Sequence, residues 1–447
     1  MDKITQYLES VPFPLLVMAP LTVALLFILT PSRHRLSVFL AMAVALLTVG
    51  QYVDLGPIRA GARLAAPVML CLVILAAMLD PGPKRSLHPV AWLYPGMAIL
   101  GFLFILTVSD LAFAFVLRAQ WLLLTAAAVA LSRCIVDEAS FRRILWAITV
   151  GLCVALIVPM LALLKDPGAA FRAGVGRFEP WGASSNQIGI YFGMTAPLAL
   201  YFGITSPRIF VRWALFGCAA IALSMTILTA SRSSLIVGVF GSIPIALRMT
   251  RRPLLFVATG TLFVIAASWF LAFMDTSKLN RIQSLETGRA QMAVEYLGVV
   301  AERPLFGMLE TTGASVLSDD TIGKHPHNAY LETLYLGGVV YAAPMFFLVG
   351  YSMLGAWRIW RARRAVAFDP LLTMELVVLM FLVYAHGFVN GAIYYPTYAW
   401  ALFHVILSVN VITLARDLRW AHAAYAIPGY SKPEFDDSLA SAGHAAG

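Results

Sequence analysis

Charged side chains are scarce in this chain of 447 residues: Asp, Glu, Lys and Arg make up 12% of it, against 60% hydrophobic residues and a mean hydropathy of +0.81. A soluble globular chain carries about twice that share of charge, so a soluble enzyme is excluded. Cysteine is scarce too. Cys71, Cys134, Cys153 and Cys218 sit in or beside apolar runs and none falls in the longest polar loop, which leaves neither a disulfide framework nor a CxxC metal site. No Walker motif or GxGxxG opens a helix, so ATP use is not expected. The opening MDKITQYLES has no basic n-region and no small-residue cleavage site, and no removed signal peptide is expected. The net charge of +9 would suit nucleic acid, but the basic residues lie mostly in short loops between apolar runs, where they set membrane orientation. Nucleic-acid binding is therefore not expected.

What the chain has in abundance is apolar runs of bilayer length, about 20 residues each. They fall near 12–30, 36–53, 65–79, 90–107, 111–131, 144–164, 187–205, 213–230, 233–249, 254–273, 328–356, 371–390 and 396–415. This predicts one all-α polytopic membrane domain over 1–415 with 12 or 13 spans, followed by a cytoplasmic, disordered tail over 416–447. Arg208 and Arg212, then Arg248, Arg251 and Arg252, then Arg358, Arg361, Arg363 and Arg364 occupy three alternate loops, which are predicted to be cytoplasmic. By parity, 165–186, 229–233 and 275–327 share the external side. The basic groups Arg33, Arg35, Lys84, Arg85, Arg142 and Arg143 fit the same scheme with an external N-terminus.

The large loop 275–327 carries five basic and seven acidic side chains in mixed order, which reads as ordered structure. Arg289, Met292, Tyr296 and Val299 recur at helical spacing and Pro304 ends the pattern, predicting a short amphipathic helix at the membrane surface.

Four elements on the external face carry polar groups out of proportion to their setting: RFEPWGASSN (177–186), TASRSS (229–234), TGRAQ (287–291) and HPHNAYLE (325–332). Arg232 lies in a very short connection between two apolar runs, where a charge marks a functional pair or pathway; the plainer reading is an arginine snorkelling to the interface. Arg177 and Arg289 taken alone are ordinary loop charges, and His327 alone is an ordinary helix-start residue. Together they describe other chemistry. Arginine forks bind phosphate oxygens bidentately, so several on one face suit a diphosphate, and a histidine can take a proton from a hydroxyl. Glu332, one turn after Asn328, is a candidate orienting carboxylate or an interhelical bond; His386 and Asn390 line the cavity or bond a neighbouring helix. His325 and His327, two apart around Pro326, lack the spacing of a helical zinc pair, and Asp319 with Asp320 is too few ligands for a hard cation, so no metal is expected. Ser231, Ser233 and Ser234 suit backbone satisfaction at a tight connection better than nucleophilic attack.

The order of these motifs resembles the O-antigen ligase and polymerase superfamily of bacterial envelope glycosyltransferases. The resemblance runs from about Arg177 to Tyr341: Arg177 and Asn186 ahead of a span, Ser231-Arg232-Ser233 between two spans, Gly288-Arg289 at a helix start, the Pro304-Leu305-x-Gly307 turn, and His327-Asn328-x-x-Leu331 leading to Gly337. It implies a GT-C-like fold of about 12 spans in the bacterial inner membrane with the active site facing the periplasm. Members have both termini cytoplasmic, which differs from the charge parity above, and here the expectation for the N-terminus follows the resemblance. His327 matches the family's proposed catalytic histidine. Arg232 and Arg289 match arginines thought to hold the diphosphate, with Arg177 as a third contact; Asn328, Glu332, His325 and Asn186 support them. The position of Glu332 is often Gln in such proteins. The implied activity is that of an O-antigen ligase, passing a glycan from undecaprenyl diphosphate to a sugar hydroxyl of lipid A core by inversion. It needs no cofactor or metal, and its partners are the two substrates and membrane lipids. An O-antigen polymerase is the nearest alternative, a protein O-oligosaccharyltransferase the next, and a lipid-linked glycan transporter or flippase the reading from another class.

Overall fold

The computed structural model describes residues 13–103, 111–171, 176–271, 289–308, 328–363, 368–389 and 398–425. Among them the regular structure is helical: α1 (Phe13–Leu29), α2 (Ser32–Val49), α3 (Pro57–Leu79), α4 (Leu93–Leu103), α5 (Leu111–Arg133), α6 (Glu138–Ala155), α7 (Ile157–Lys165), α8 (Ser185–Thr205), α9 (Ile209–Leu228), α10 (Arg232–Met249), α11 (Pro253–Leu271), α12 (Arg289–Glu302), α13 (Ala329–Arg361), α14 (Pro370–Gly387) and α15 (Ala399–Tyr425). Each of the thirteen predicted apolar runs coincides with a helix, α6 and α7 forming one run. Ten helices among the described residues are long and apolar enough to cross a membrane. Short polar signals set the boundaries. Asp137 and Ser140 form a capping box at the start of α6, and Asp369 accepts the Leu371 N–H at the start of α14 beside Pro370.

The helix α8 lies at the centre. It is apolar all round rather than striped, as a fully enclosed helix must be, and its residues from Ile188 to Ile204 are buried throughout. Glycines allow its neighbours to come close: a Cβ on Gly193 would meet the Ser234 carbonyl of α10 at 2.6 Å, and one on Gly203 the Phe216 ring of α9 at 2.4 Å. Small residues at helix crossings are the usual device for packing inside a bilayer, where helices gain nothing from mere apolarity.

The two ends of the bundle differ chemically. At one end Arg143 pairs with Asp80 at 2.9 Å, Arg142 bridges Glu138 at 2.6 Å and Asp369 at 2.9 Å, Arg85 bonds Asn410, and Arg416 bonds the Ser86 carbonyl at 2.9 Å. This end gathers the connections after α3, α5 and α13. The other end gathers the connections after α2, α7 and α9: Phe178 N–H donates to the Leu228 carbonyl at 3.1 Å, and the Asp54 carboxylate lies where a Cβ on Gly182 would stand. The predicted alternation of basic and polar connections is thus realised in the packing. The connection at 50–56 stands with the polar end, in register with the charge-parity scheme.

Candidate active site

Arg177 ties two of the four polar elements together. Its Nε donates to the Thr229 carbonyl at 3.0 Å and its Nη2 to Asn186 Oδ1 at 2.7 Å. Ser185 Oγ donates to Glu179 Oε1 at 2.8 Å within the same turn. Much of this guanidinium therefore serves as a brace that fixes the 229–231 connection against the start of α8. The backbone here is strained. Trp181 (φ 51) and Ala230 (φ 48) are the two non-glycine residues with left-handed backbone among the described residues, and they fall in RFEPWGASSN and TASRSS. Such conformations cost of order 1–3 kcal/mol and persist only where the surroundings over-determine them. For Trp181 the surroundings include its own Nε1, which donates to the Val158 carbonyl at 3.2 Å.

Arg232 is the first residue of α10, directly after the strained Ala230 and the N-cap Ser231, whose side chain makes no cap bond to the helix backbone. Ser231 Oγ and Ser234 Oγ lie 2.9 Å apart, both buried. These serines satisfy one another, as expected of a tight connection. Arg232 is half-buried and, among the described residues, has no hydrogen-bond or ion-pair partner. A guanidinium at the positive end of a helix dipole, at a membrane boundary and without a counter-charge, is an arrangement that an anion relieves.

The third and fourth elements meet through α12 and α13. Arg289 opens α12, as predicted, and Asn328 caps α13, its Oδ1 accepting the N–H groups of Tyr330 and Leu331 at 3.0 Å each. The side chain of Arg289 lies outside the described residues, as do His325, His327, Asn390 and the Asp319, Asp320 pair. Tyr296 of α12 packs edge-to-face on Tyr335 of α13 with ring centroids 4.8 Å apart, both fully buried. The helix expected from the spacing of Arg289, Met292, Tyr296 and Val299 is present, and its Tyr296 face rests on α13.

Between these helices lies a second clasp. α13 is broken at Gly338 (φ 59, ψ −164), and the turn after α12 docks into the break: Met308 N–H donates to the Tyr335 carbonyl at 2.8 Å, Val339 N–H to the Pro304 carbonyl at 2.8 Å, and Val340 N–H to the Leu305 carbonyl at 3.1 Å. At about 1.5 Å per residue the 33 residues of α13 outrun the ~30 Å hydrocarbon core. The segment before Gly338 is the part clasped to α12. Two of the motifs quoted above, Pro304-Leu305-x-Gly307 and the glycines at 337 and 338, are therefore one structural unit. It holds the helix that Arg289 opens against the helix that follows His327.

Glu332 is 5% exposed and buried among these helices, its backbone N–H on the Asn328 carbonyl at 2.9 Å. Tyr398, at the start of α15, also belongs to this region. Its buried ring lies 6.4 Å from that of Tyr191 of α8, and the charges of Arg63, Glu332 and Arg59 act on it electrostatically. The only local signal was the aromatic cluster YYPTY at 394–398. His386 is buried at the polar end of α14, edge-on to Trp400 of α15 at 5.9 Å, between the two helices. No family model matches the chain, and no curated protein matches it.

Proposed function

We propose that this chain is a glycosyltransferase of the O-antigen ligase type, which passes a glycan from undecaprenyl diphosphate to a hydroxyl of lipid A core at the periplasmic face of the bacterial inner membrane. The observation that carries the reading is Arg232: a half-buried guanidinium without a partner among the described residues, at a helix start, beside a strained connection. Arg232 and Arg289 hold the two phosphates. Arg177, two of whose donors are already engaged, acts chiefly by bracing the Arg232 connection. In the transfer the acceptor oxygen attacks the anomeric carbon, the bond from that carbon to the diphosphate oxygen breaks, the hydroxyl proton passes to His327, and undecaprenyl diphosphate departs. A single displacement inverts the centre. A diphosphate leaves readily once its charge is met, so fixed positive groups and a base supply what the step requires.

The external side assigned to the polar end follows from the basic connections at the other end. Counted back from the 50–56 connection, Phe13 also starts on the external side, which departs from the cytoplasmic N-terminus that the resemblance implies. An O-antigen polymerase would use the same donor and differ in the acceptor. The transporter reading predicts a broken helix whose freed backbone meets cargo. The break at Gly338 instead has its Val339 and Val340 N–H groups taken up by Pro304 and Leu305, which favours the enzyme. The deciding experiment gives the purified chain a lipid-diphosphate glycan and offers lipid A core or a second donor as acceptor. Glycan on lipid A core is the expected product, chain extension on the second donor points to the polymerase, and no transfer to either overturns the reading.

A further inference from the structure

Arg59 and Arg63 lie in the first two turns of α3, on one stripe with Ala66, Leu70, Val73 and Ala77, all four of which are 3% exposed or less. Steps of four and three keep these positions on one helix face. The outward stripe of α3 carries Ile58, Val68 and Leu75, each more than 40% exposed. An arginine snorkelling to the headgroups would share that outward stripe; these two share the inward one. Arginines that turn into a membrane bundle are costly and mark a ligand path. Arg63 is anchored by its Nε on the Gly50 carbonyl at 3.0 Å, at the polar end of the bundle. At the same end the Asp54 carboxylate, after α2, stands against Gly182 in the turn whose Asn186 takes Arg177, and both arginines act electrostatically on Tyr398.

We propose that Arg59 and Arg63 form a second phosphate-binding subsite, which holds a phosphate of the acceptor while Arg232 and Arg289 hold the donor diphosphate. The inference rests on the glycosyltransferase reading above. Transfer between two lipid-anchored molecules brings two anionic amphiphiles to one end of the bundle, and each needs its own counter-charge if both are to be present at once. Two guanidiniums one helical turn apart match the breadth of a phosphate group.

The test measures binding of undecaprenyl diphosphate and, separately, of phosphorylated lipid A core to the purified full-length chain, with inorganic phosphate as competitor. The variants are Arg59→Gln, Arg63→Gln, their double, Arg59→Lys with Arg63→Lys, and Arg232→Gln. Melting in the same detergent identifies variants that remain folded, and the single substitutions carry the test if the double does not fold. Expected is at least a tenfold loss of acceptor affinity in the Gln variants with donor affinity within twofold of wild type, partial recovery with Lys, and the reverse pattern for Arg232→Gln. Unchanged binding of both ligands overturns the subsite. Loss of donor affinity alone assigns the pair to the donor diphosphate and overturns it as well. A wild-type chain that binds neither ligand defeats the glycosyltransferase reading itself, and is told apart because no variant is then needed to see it.

Discussion

Gly338 stands where a side chain on Gly307 would go, and a side chain on Gly338 would strike the chain just ahead of Gly307, at Leu305 and Phe306. Both glycines have left-handed backbone (φ 58 and φ 59); a Cβ on Gly307 would lie 2.6 Å from Gly338 N and 2.4 Å from the Tyr335 carbonyl, and one on Gly338 would lie 2.3 Å from the Leu305 carbonyl. Gly307→Ala or Gly338→Ala adds roughly 1–2 kcal/mol of left-handed strain before any clash. Either substitution should part α12 from the start of α13, lowering transfer at least tenfold. Because one clasp is lost in either case, the double variant should be little worse than each single one. Turnover and melting of the three variants check this, and additive losses would show two independent sites.

Arg232→Lys and Arg289→Lys should both fail to restore full activity, because an ammonium cannot reproduce a bidentate fork on two phosphate oxygens. Arg177→Lys should act differently. It should lower the melting temperature as well as turnover, since it removes the bonds to Thr229 and Asn186 that hold the connection. Donor titrations beside melting curves separate the two behaviours; wild-type turnover with Lys at 232 would mean that charge alone matters there.

For the base, His327→Ala should leave donor binding largely intact and reduce transfer by about 10² to 10⁴, the usual worth of removing a hydroxyl proton in the transition state. His325→Ala should cost less. A collapse of donor affinity in His327→Ala at normal saturating rate would make His327 a phosphate contact and leave Glu332 as the next base.

Sidedness is checked with single cysteines in an otherwise cysteine-free chain. Asp54→Cys and Ser315→Cys should label from outside intact spheroplasts, and Arg361→Cys only after permeabilisation. Label at 361 from outside would turn the whole arrangement over, and label at 315 but not at 54 would restore the cytoplasmic N-terminus.

The membrane helices were legible because the bilayer imposes one length and one composition on every span, and the alternation of Arg208, Arg248 and Arg361 with the polar connections was legible because charge sorts by side. Asn328 as a helix start was readable from its place before an apolar run. Other features depend on partners far away in sequence. Nothing near Arg177 announces that the Thr229 carbonyl, 52 residues on, takes its Nε, and so its bracing role was not legible. Arg59 and Arg63 carry no sequence motif; the burial of Ala66 and Leu70 shows which way their stripe faces. Tyr398 had only the aromatic cluster YYPTY to mark it, which says nothing of its packing against Tyr191.

The enclosure of α8 has a consequence for biogenesis. Its walls are α6, made before it, α9 and α10, made just after, and finally α15, whose entry is marked by Tyr398 against Tyr191 with ring centroids 6.4 Å apart. Nearly two hundred residues are synthesised between the moment α8 leaves the translocon and the arrival of its last neighbour. Over that interval a helix made for protein contact, with Asn186, Gln187 and two glycines in its first turns, has lipid or an insertion chaperone on its open side. A nascent chain stopped ahead of Ala399 therefore inserts without closing, and quality-control proteases of the membrane meet it as an unfinished protein.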